Sequence, residues 1–524
     1  MDTLLPIKLP PGMRNTGTAY QSKGRWYTGN LVRFFQDTIQ PIGGWTAQAN
    51  VGATVSAGSF VVGRTYIILT VGSTDFTAIG ASANTVGIRF TATGIGAGTG
   101  TATKAIGGVP RAMISYGVVS GYSVTVVGTT NGLYAVRAGT IYDITPAAIT
   151  TNDTSRMWQL SLFGSVLLAV ASTPEGADAL VEWSGNTGAV ATAVSPAQSA
   201  LSVIATPERF LVLIGPTSGP SRAVKWATQE SYSDFVATTT NSAGDFTLET
   251  EGHIQCARQG HNQTLIWTTA DLWGMTYVGG EFIQQFNKLG AQCGIIGRNA
   301  VAVNDGTAFW MGHNGFYAYD GFVKPIPCDV QDYVFGSLNT LYAHLIWALN
   351  NPTFGEVTWF YPHAAQTEVT RYATYNYREN HWVTGTLVRT CGVPFVQSIS
   401  TLNTYKPVLA GTTGALFDHE TGSARNSEGT PSLESGPIEL GDGDRLMSIQ
   451  KIIPDDDTAG DVTLTIYTAP NPDTAETSNG PYTLTAQTSV RLKARQVRIK
   501  LTEAVATAWR VGVLRLGVLP SSRR

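Results

Sequence analysis

The chain has 524 residues, enough at about 150 per domain for two to four domains and a large core. Charged residues make up only 14%, aromatics reach 10% and there are 57 glycines, a balance that excludes a disordered chain, a helical bundle or a coiled coil. The formal net charge of −3 hides an asymmetry: from residue 491 on there are nine basic residues and one acid, a net +8, so everything before carries −11.

In chain order, the opening MDTLLPIKLPPGMRN lacks a basic segment followed by a long apolar stretch, so no signal peptide is expected. No apolar run approaches the roughly 18 residues of a membrane span. The expectation is a protein made in the cytoplasm. A strand, turn, strand unit begins at Val32 in LVRFFQDTIQPIGGW. Residues 51–107 then change character, crowded with Thr, Gly, Ala and Val and almost free of charge, as a small β domain plugged into a blade loop would be.

A repeat follows. Strand-like motifs begin at Leu133 (NGLYAV), Leu180, Val224, Leu272, Phe316 (NGFYAY), Tyr372 and Leu416, at intervals of 47, 44, 48, 44, 56 and 44 residues. Periods of about 40 to 50 with several strands per unit are what β-propeller blades show. The interval from Val32 to Leu133 is 101 residues, and without the 57 of the insert it becomes 44, so Val32 is read as one more blade. After residue 420 the rhythm ends in TGSARNSEGTPSLESG, and from residue 437 VTLTIYTA, VRLKARQVRIKL and WRVGVLRLGV alternate with period two. The expected architecture is all-β: a propeller of six to eight blades (residues 1–50 and 108–420), the inserted domain (51–107), a linker (421–436) and a C-terminal β-sandwich (437–524).

Chemistry is sparse. Cys256, Cys293, Cys328 and Cys391 form no C-x-x-C pair, and seven scattered histidines show no ligand spacing, so no metal, cofactor or disulfide framework is expected. In PDDDTAGD the consecutive Asp455, Asp456 and Asp457 do not fit a calcium loop. GIGAGTG at Gly94 lacks the context of a phosphate loop. Propeller glycosidases need paired carboxylates, and Glu230, Asp234 and Glu356 offer no means of pairing from sequence alone. The expectation is therefore no enzyme and no catalytic residue. Arg491, Lys493, Arg495 and Arg498 alternate with apolar residues, as in a strand with one wet face, and are the candidate docking residues.

Several stretches together resemble the tail nozzle or tail tube proteins of short-tailed bacteriophages: YQSKGRWYTGNLVRFFQDTIQPIGGW (20–45), GVPRA (108–112), SRAVKWATQESYSDF (221–235), GEVTWFYP and YATYNYRENHWVTG (within 355–385), SGPIELGDGDRLMSIQKIIPD (435–455) and the ending WRVGVLRLGVLPSSRR. The insert resembles a small module shared by many phage tail and fibre proteins. The resemblance implies a virion tail component synthesised in the bacterial host: six copies in a ring below the portal and adaptor, fibres or a needle as further neighbours, and DNA passing through the lumen without specific binding. The alternative from another class is a glycan-binding adhesin or depolymerase, with residues 51–107 touching the host surface.

Overall fold

The computed structural model describes residues 3–118, 121–173, 176–396, 406–425, 428–439, 446–455, 460–471 and 474–521. Seven sheets of antiparallel strands, the first with Val51–Gly52 added in parallel at its outer edge, follow one another around an axis, each with its first strand innermost. The inner strands are Pro110–Val118, Met157–Phe163, Ala200–Ala205, Ile254–Gln259, Val301–Asn304, Trp347–Asn351 and Cys391–Val393. The fold is a β-propeller with seven blades. Two-residue turns close several hairpins; Ala138-Gly139 and Asp305-Gly306 have positive φ at both positions, as the tight turn matching strand twist requires.

The sequence repeat has a simple structural meaning. All seven motifs fall on the third strand of a blade, from Leu133–Arg137 in the first to Leu416–His419 in the seventh. The aromatics between them seal the blades against one another. The Trp158 indole of the second blade donates to the Thr129 carbonyl of the first at 2.8 Å, and Trp359 of the sixth donates to Ala300 beside the fifth at 3.1 Å. Burying an indole without such a partner would forfeit a hydrogen bond in a dry interface.

The ring closes through the N-terminal part of the chain. Trp45–Ala47 is the outer strand of the seventh blade, pairing Trp45 with His419 and Ala47 with Phe417. The insert therefore joins the outer strand of the last blade to the inner strand of the first, at the seam of the ring, and not in a loop within a blade. It has its own four-stranded sheet, Thr54–Ser56, Thr101–Lys104, Thr65–Thr70 and Arg89–Thr91. Phe60, Tyr66, Phe76 and Phe90 fill its core, with ring centroids 5.0 to 5.9 Å apart. Arg64 ties it to the first blade through Asp143 at 3.2 Å.

Two expectations need correction here. Val32 does not begin a blade: Val32–Phe35 and Thr38–Pro41 form a separate two-stranded hairpin, bridged at Ile39 to Val511, and the interval of 44 residues was a coincidence. Nor do residues 1–50 belong wholly to the propeller. Thr3–Ile7 pairs with Leu514–Pro520, and Trp26–Asn30 pairs with Ser432–Ser435, which itself lies within the segment expected to be a linker. The sandwich thus uses both ends of the chain. One sheet is ordered Thr3–Ile7, Leu514–Pro520, Met447–Ile453, Thr488–Ala494. The other contains Trp26–Asn30, Ser432–Ser435, Gln496–Glu503, Val462–Ala469 and Thr477–Thr483, with Ile438–Glu439 on the same central strand. Along the N-terminal strand Leu5 and Ile7 turn inward while Leu4 and Pro6 are exposed, and that inner face is covered only when the C-terminal strand lies beside it.

Sandwich and propeller share one apolar core, running from Ile449, Leu464 and Trp509 through Phe34 and Met13 to Trp382 and Trp359 of the sixth blade. Buried ion pairs cross the same junction. Arg33 of the hairpin is 4% exposed and grips Glu356 of the sixth blade (3.1 and 2.9 Å) and Glu420 beyond the seventh (3.0 and 2.7 Å). Burial opposes the Arg33 charge, but the two carboxylates more than offset it and hold the guanidinium charged. Arg425 holds Glu503 of the sandwich at 2.8 Å, and the Trp509 indole donates to the same carboxylate at 3.1 Å.

Candidate functional site

The four basic residues picked out by sequence part company in the fold. Thr488–Ala494 is an edge strand, and its alternation exposes Arg491 and Lys493 while burying Val490 and Ala494. Arg515 is exposed on the same sheet, two strands further in. Parity places Arg491, Lys493, Lys451 and Arg515 on one outer face, and no Asp or Glu stands on the described strand positions of that sheet. Arg495 and Arg498 lie elsewhere. Arg495 reaches Asn471 at 3.0 Å, and Arg498, on the other sheet, is fixed by Glu476 at 2.7 Å, by Glu434 and by stacking over Tyr467. The hydrogen bonds to the Glu476 carboxylate, and then the charge of Glu434, raise the Arg498 pKa. Arg498 is a cross-strand fastener of the sandwich. Arg523 and Arg524 lie outside the described residues, as do residues 456–459 of PDDDTAGD.

The second site is the propeller axis, where the inner strands leave a cavity of about 290 Å³. Its polar wall is Arg111, Gln159, Ser161, Arg258 and Asn299. These groups bond across the ring: Gln159 Nε2 donates to Asn299 Oδ1 at 2.6 Å, Arg258 donates to Gln159 Oε1 at 3.1 Å and to Asn299 Oδ1 at 3.2 Å. Side chains from the first, second, fourth and fifth blades thereby fill the axis. A smaller cavity of about 130 Å³ is lined by Ser172, Arg298 and His344 among others. Burial, then the charges of Arg111 and Arg298, push the His344 imidazole below its usual pKa, so it is neutral near pH 7. No motif in the sequence sets Arg111, Arg258 and Arg298 apart; only the order of blades around the ring brings them together.

A third feature is an open cleft of about 770 Å³ between the third and fourth blades, bounded by Arg222, Glu249, Thr250, Glu251, Asp271 and Lys288. Asp271 is buried, accepts from Thr250 at 2.6 Å and pairs with Lys288 at 3.0 Å; Glu249 and Glu251 are exposed. The acids considered from sequence do not converge: Glu356 is held by Arg33, Glu230 pairs with Arg209, and Asp234 accepts from Thr228 at 2.7 Å. The thiols are inert by environment. Burial pushes both Cys256 and Cys293 up to about 11.

No protein-family model and no curated protein matches the chain by sequence. Solved structures match by fold. The Pan2 WD40 domain of Neurospora crassa is similar over 59% of this chain and 88% of its own, with 8% identity and a TM-score of 0.35. The exo-beta-1,3-galactanase of Phanerochaete chrysosporium, solved with galactose, covers 79% of this chain and 96% of its own at 9% identity and a TM-score of 0.28. SapL1 lectin, in complex with alpha methyl fucoside, covers 63% and 93% at 8% identity and 0.28. One expectation is overturned: solved structures of this fold include a glycoside hydrolase, so an absence of catalysis does not follow from the architecture and is withdrawn. At such identities the likeness shows the fold alone, and the chain is a β-propeller with an inserted β domain and a terminal β-sandwich.

Proposed function

We propose that this chain is a structural subunit of a short-tailed bacteriophage tail, assembled with further copies into a ring around the path of the exiting genome. The observation that carries the reading is where the family-like segments meet. The described parts of residues 20–45, 355–385, 435–439, 446–455 and 509–521 share one apolar core, which the Arg33–Glu356 and Arg425–Glu503 pairs border. Most of the resembling segments thus form a packed unit, the junction of sandwich and propeller, while 108–112 and 221–235 lie in the first and third blades. A ring subunit has to keep two different faces at a fixed angle for the rotation to close, and a dry, ion-paired junction supplies that stiffness. The propeller axis, filled by side chains, offers no passage for DNA, so in this reading the genome runs between subunits.

The basic sheet face and the acidic remainder of the chain are complementary, which favours docking of Arg491, Lys493 and Arg515 onto a neighbouring subunit or tail protein. The variant carrying R491E, K493E and R515E is expected to fold with an unchanged unfolding midpoint and to self-associate about tenfold more weakly or worse. Negative-stain images of the purified chain, alone and with its adaptor, check this. Intact rings from the triple variant would remove the docking role, and a wild-type monomer that never forms rings would remove the nozzle.

A second reading, a propeller that binds or cleaves glycan, is favoured by the cleft with Glu249, Glu251 and Asp271 between the third and fourth blades. It expects host polysaccharide to bind or shorten with the wild-type chain and not with Glu249→Gln and Glu251→Gln combined. Calorimetry and sizing of the polysaccharide read the two outcomes, and equal behaviour of wild type and variant would dismiss the cleft.

A further inference from the structure

We propose that the propeller axis is a binding site for a small oxyanion of the phosphate or carboxylate class, held by Arg111 and Arg258 in the larger cavity, with Arg298 on the smaller cavity adding to the positive charge. The argument starts from charge. Three guanidinium groups stand along the axial cavities, and Glu368, paired with Arg111, is the one carboxylate that reaches any of them among the described residues. Arg258 donates only to neutral oxygens, those of Gln159, Asn299 and the carbonyls of Ala257 and Arg298. Arg298 donates to the Ser172 hydroxyl and to no carboxylate among the described residues. Leaving a half-buried cation on neutral partners alone is costly, because water is withdrawn and nothing charged replaces it.

A second observation is independent of that count. Arg111 is 2% exposed, lines the 290 Å³ cavity, and its Nε is buried without a hydrogen-bond partner. An orphaned donor beside a polar cavity is the signature of a missing acceptor. Guanidinium forks match the paired oxygens of phosphate and carboxylate, and the cavity wall itself contains no Asp or Glu to compete for them. Trp158 and Trp347 bound the same space, which limits the occupant to something compact and leaves a flat apolar surface for a carbon skeleton if it has one. Burial also lowers the pKa of Arg298, in keeping with a cation that lacks its counter-ion. This inference does not rest on the nozzle reading and stands or falls separately from it.

The test uses the whole chain, dialysed free of multivalent anions, with inorganic phosphate and glucuronate as probes and chloride at matched ionic strength as the control. Saturable binding of either probe by calorimetry, near one per chain, together with a rise in unfolding midpoint, is the expected result. Phosphate alone binding identifies a free-phosphate site, and glucuronate binding identifies a site for an acidic sugar; both support the proposal. R258Q combined with R298Q is expected to weaken binding roughly ten- to hundredfold, while its midpoint in chloride stays equal to or above that of the wild type, since a buried unpaired charge has been removed. Absence of saturable binding by both probes overturns the proposal, as does a double variant that binds as well as the wild type.

Discussion

Replacing Arg33 with methionine is expected to destabilise the junction of sandwich and propeller by about 3–5 kcal/mol, because it strands two carboxylates in a dry interface. Arg33 alone spans Glu356 and Glu420, and both partners are largely shielded from solvent. Burial already pushes the Glu356 carboxyl up, and Arg33 is the group that opposes this. Without Arg33, Glu356 takes up a proton on folding. Its folded pKa then lies further above the unfolded value, so the folded state holds more protons and stability falls as pH rises. The loss of unfolding midpoint should therefore be larger at pH 8 than at pH 5. Adding E356L and E420L to R33M should restore much of the midpoint, since an apolar replacement of a whole buried triad is close to neutral. Equal midpoints for wild type and R33M at both pH values would show that apolar contacts alone weld the junction.

The second large effect concerns the seam. Trp45→Ala is expected to cost about 3–5 kcal/mol, the usual range for truncating a buried Trp. Trp45 is 1% exposed, stacks on His419 with centroids 5.0 Å apart, and lies under the Arg389 guanidinium at 5.1 Å. It anchors a strand of only three residues, so little else holds the outer edge of the seventh blade. Urea denaturation followed by tryptophan fluorescence and by circular dichroism reads the change. A midpoint within experimental scatter of the wild type would mean that the ring is closed by the sheet hydrogen bonds of Thr46 and Ala47 without the indole.

These two residues also show what could be read from sequence. The blade count was nearly legible, because Leu133, Val224, Phe316 and Leu416 recur at the rhythm of one strand type and local turn chemistry repeats with them. The role of Trp45 was not, since its partner His419 lies 374 residues away and three residues carry no periodicity. Val32 was misread for a physical reason: VRFF, a tight turn at Gln36-Asp37 and TIQP form a genuine hairpin, and a hairpin is half a blade. The N-terminal strand of the sandwich has the same difficulty, for TLLPI says nothing of a partner at the opposite end. At the sites, alternation in VRLKARQVRIKL was correctly a strand signal, yet it could not say that Arg491 and Arg498 sit on different sheets. The axial arginines left no local trace, because each comes from a different blade.

Pairing Thr3 with Val518 has a consequence for how the molecule is made. At about 5–20 residues per second a ribosome needs roughly 25–100 s between these two residues. During that time the first strand lacks its partner, while the hairpin carrying Arg33 waits for Glu356 and Glu420 and the seam strand at Trp45 for Leu416–His419. Blades one to six can form as they emerge, each on local contacts, and the ring can close once Leu416–His419 is free to pair with Trp45–Ala47, but the sandwich cannot close until Leu514–Pro520 leaves the ribosome. Completion of the sandwich thus waits for its last strand, Leu514–Pro520. A chain lacking Leu514–Pro520 would leave Thr3–Ile7 and Met447–Ile453 without the strand between them, so only molecules carrying it present the finished sandwich face from which any larger assembly is built.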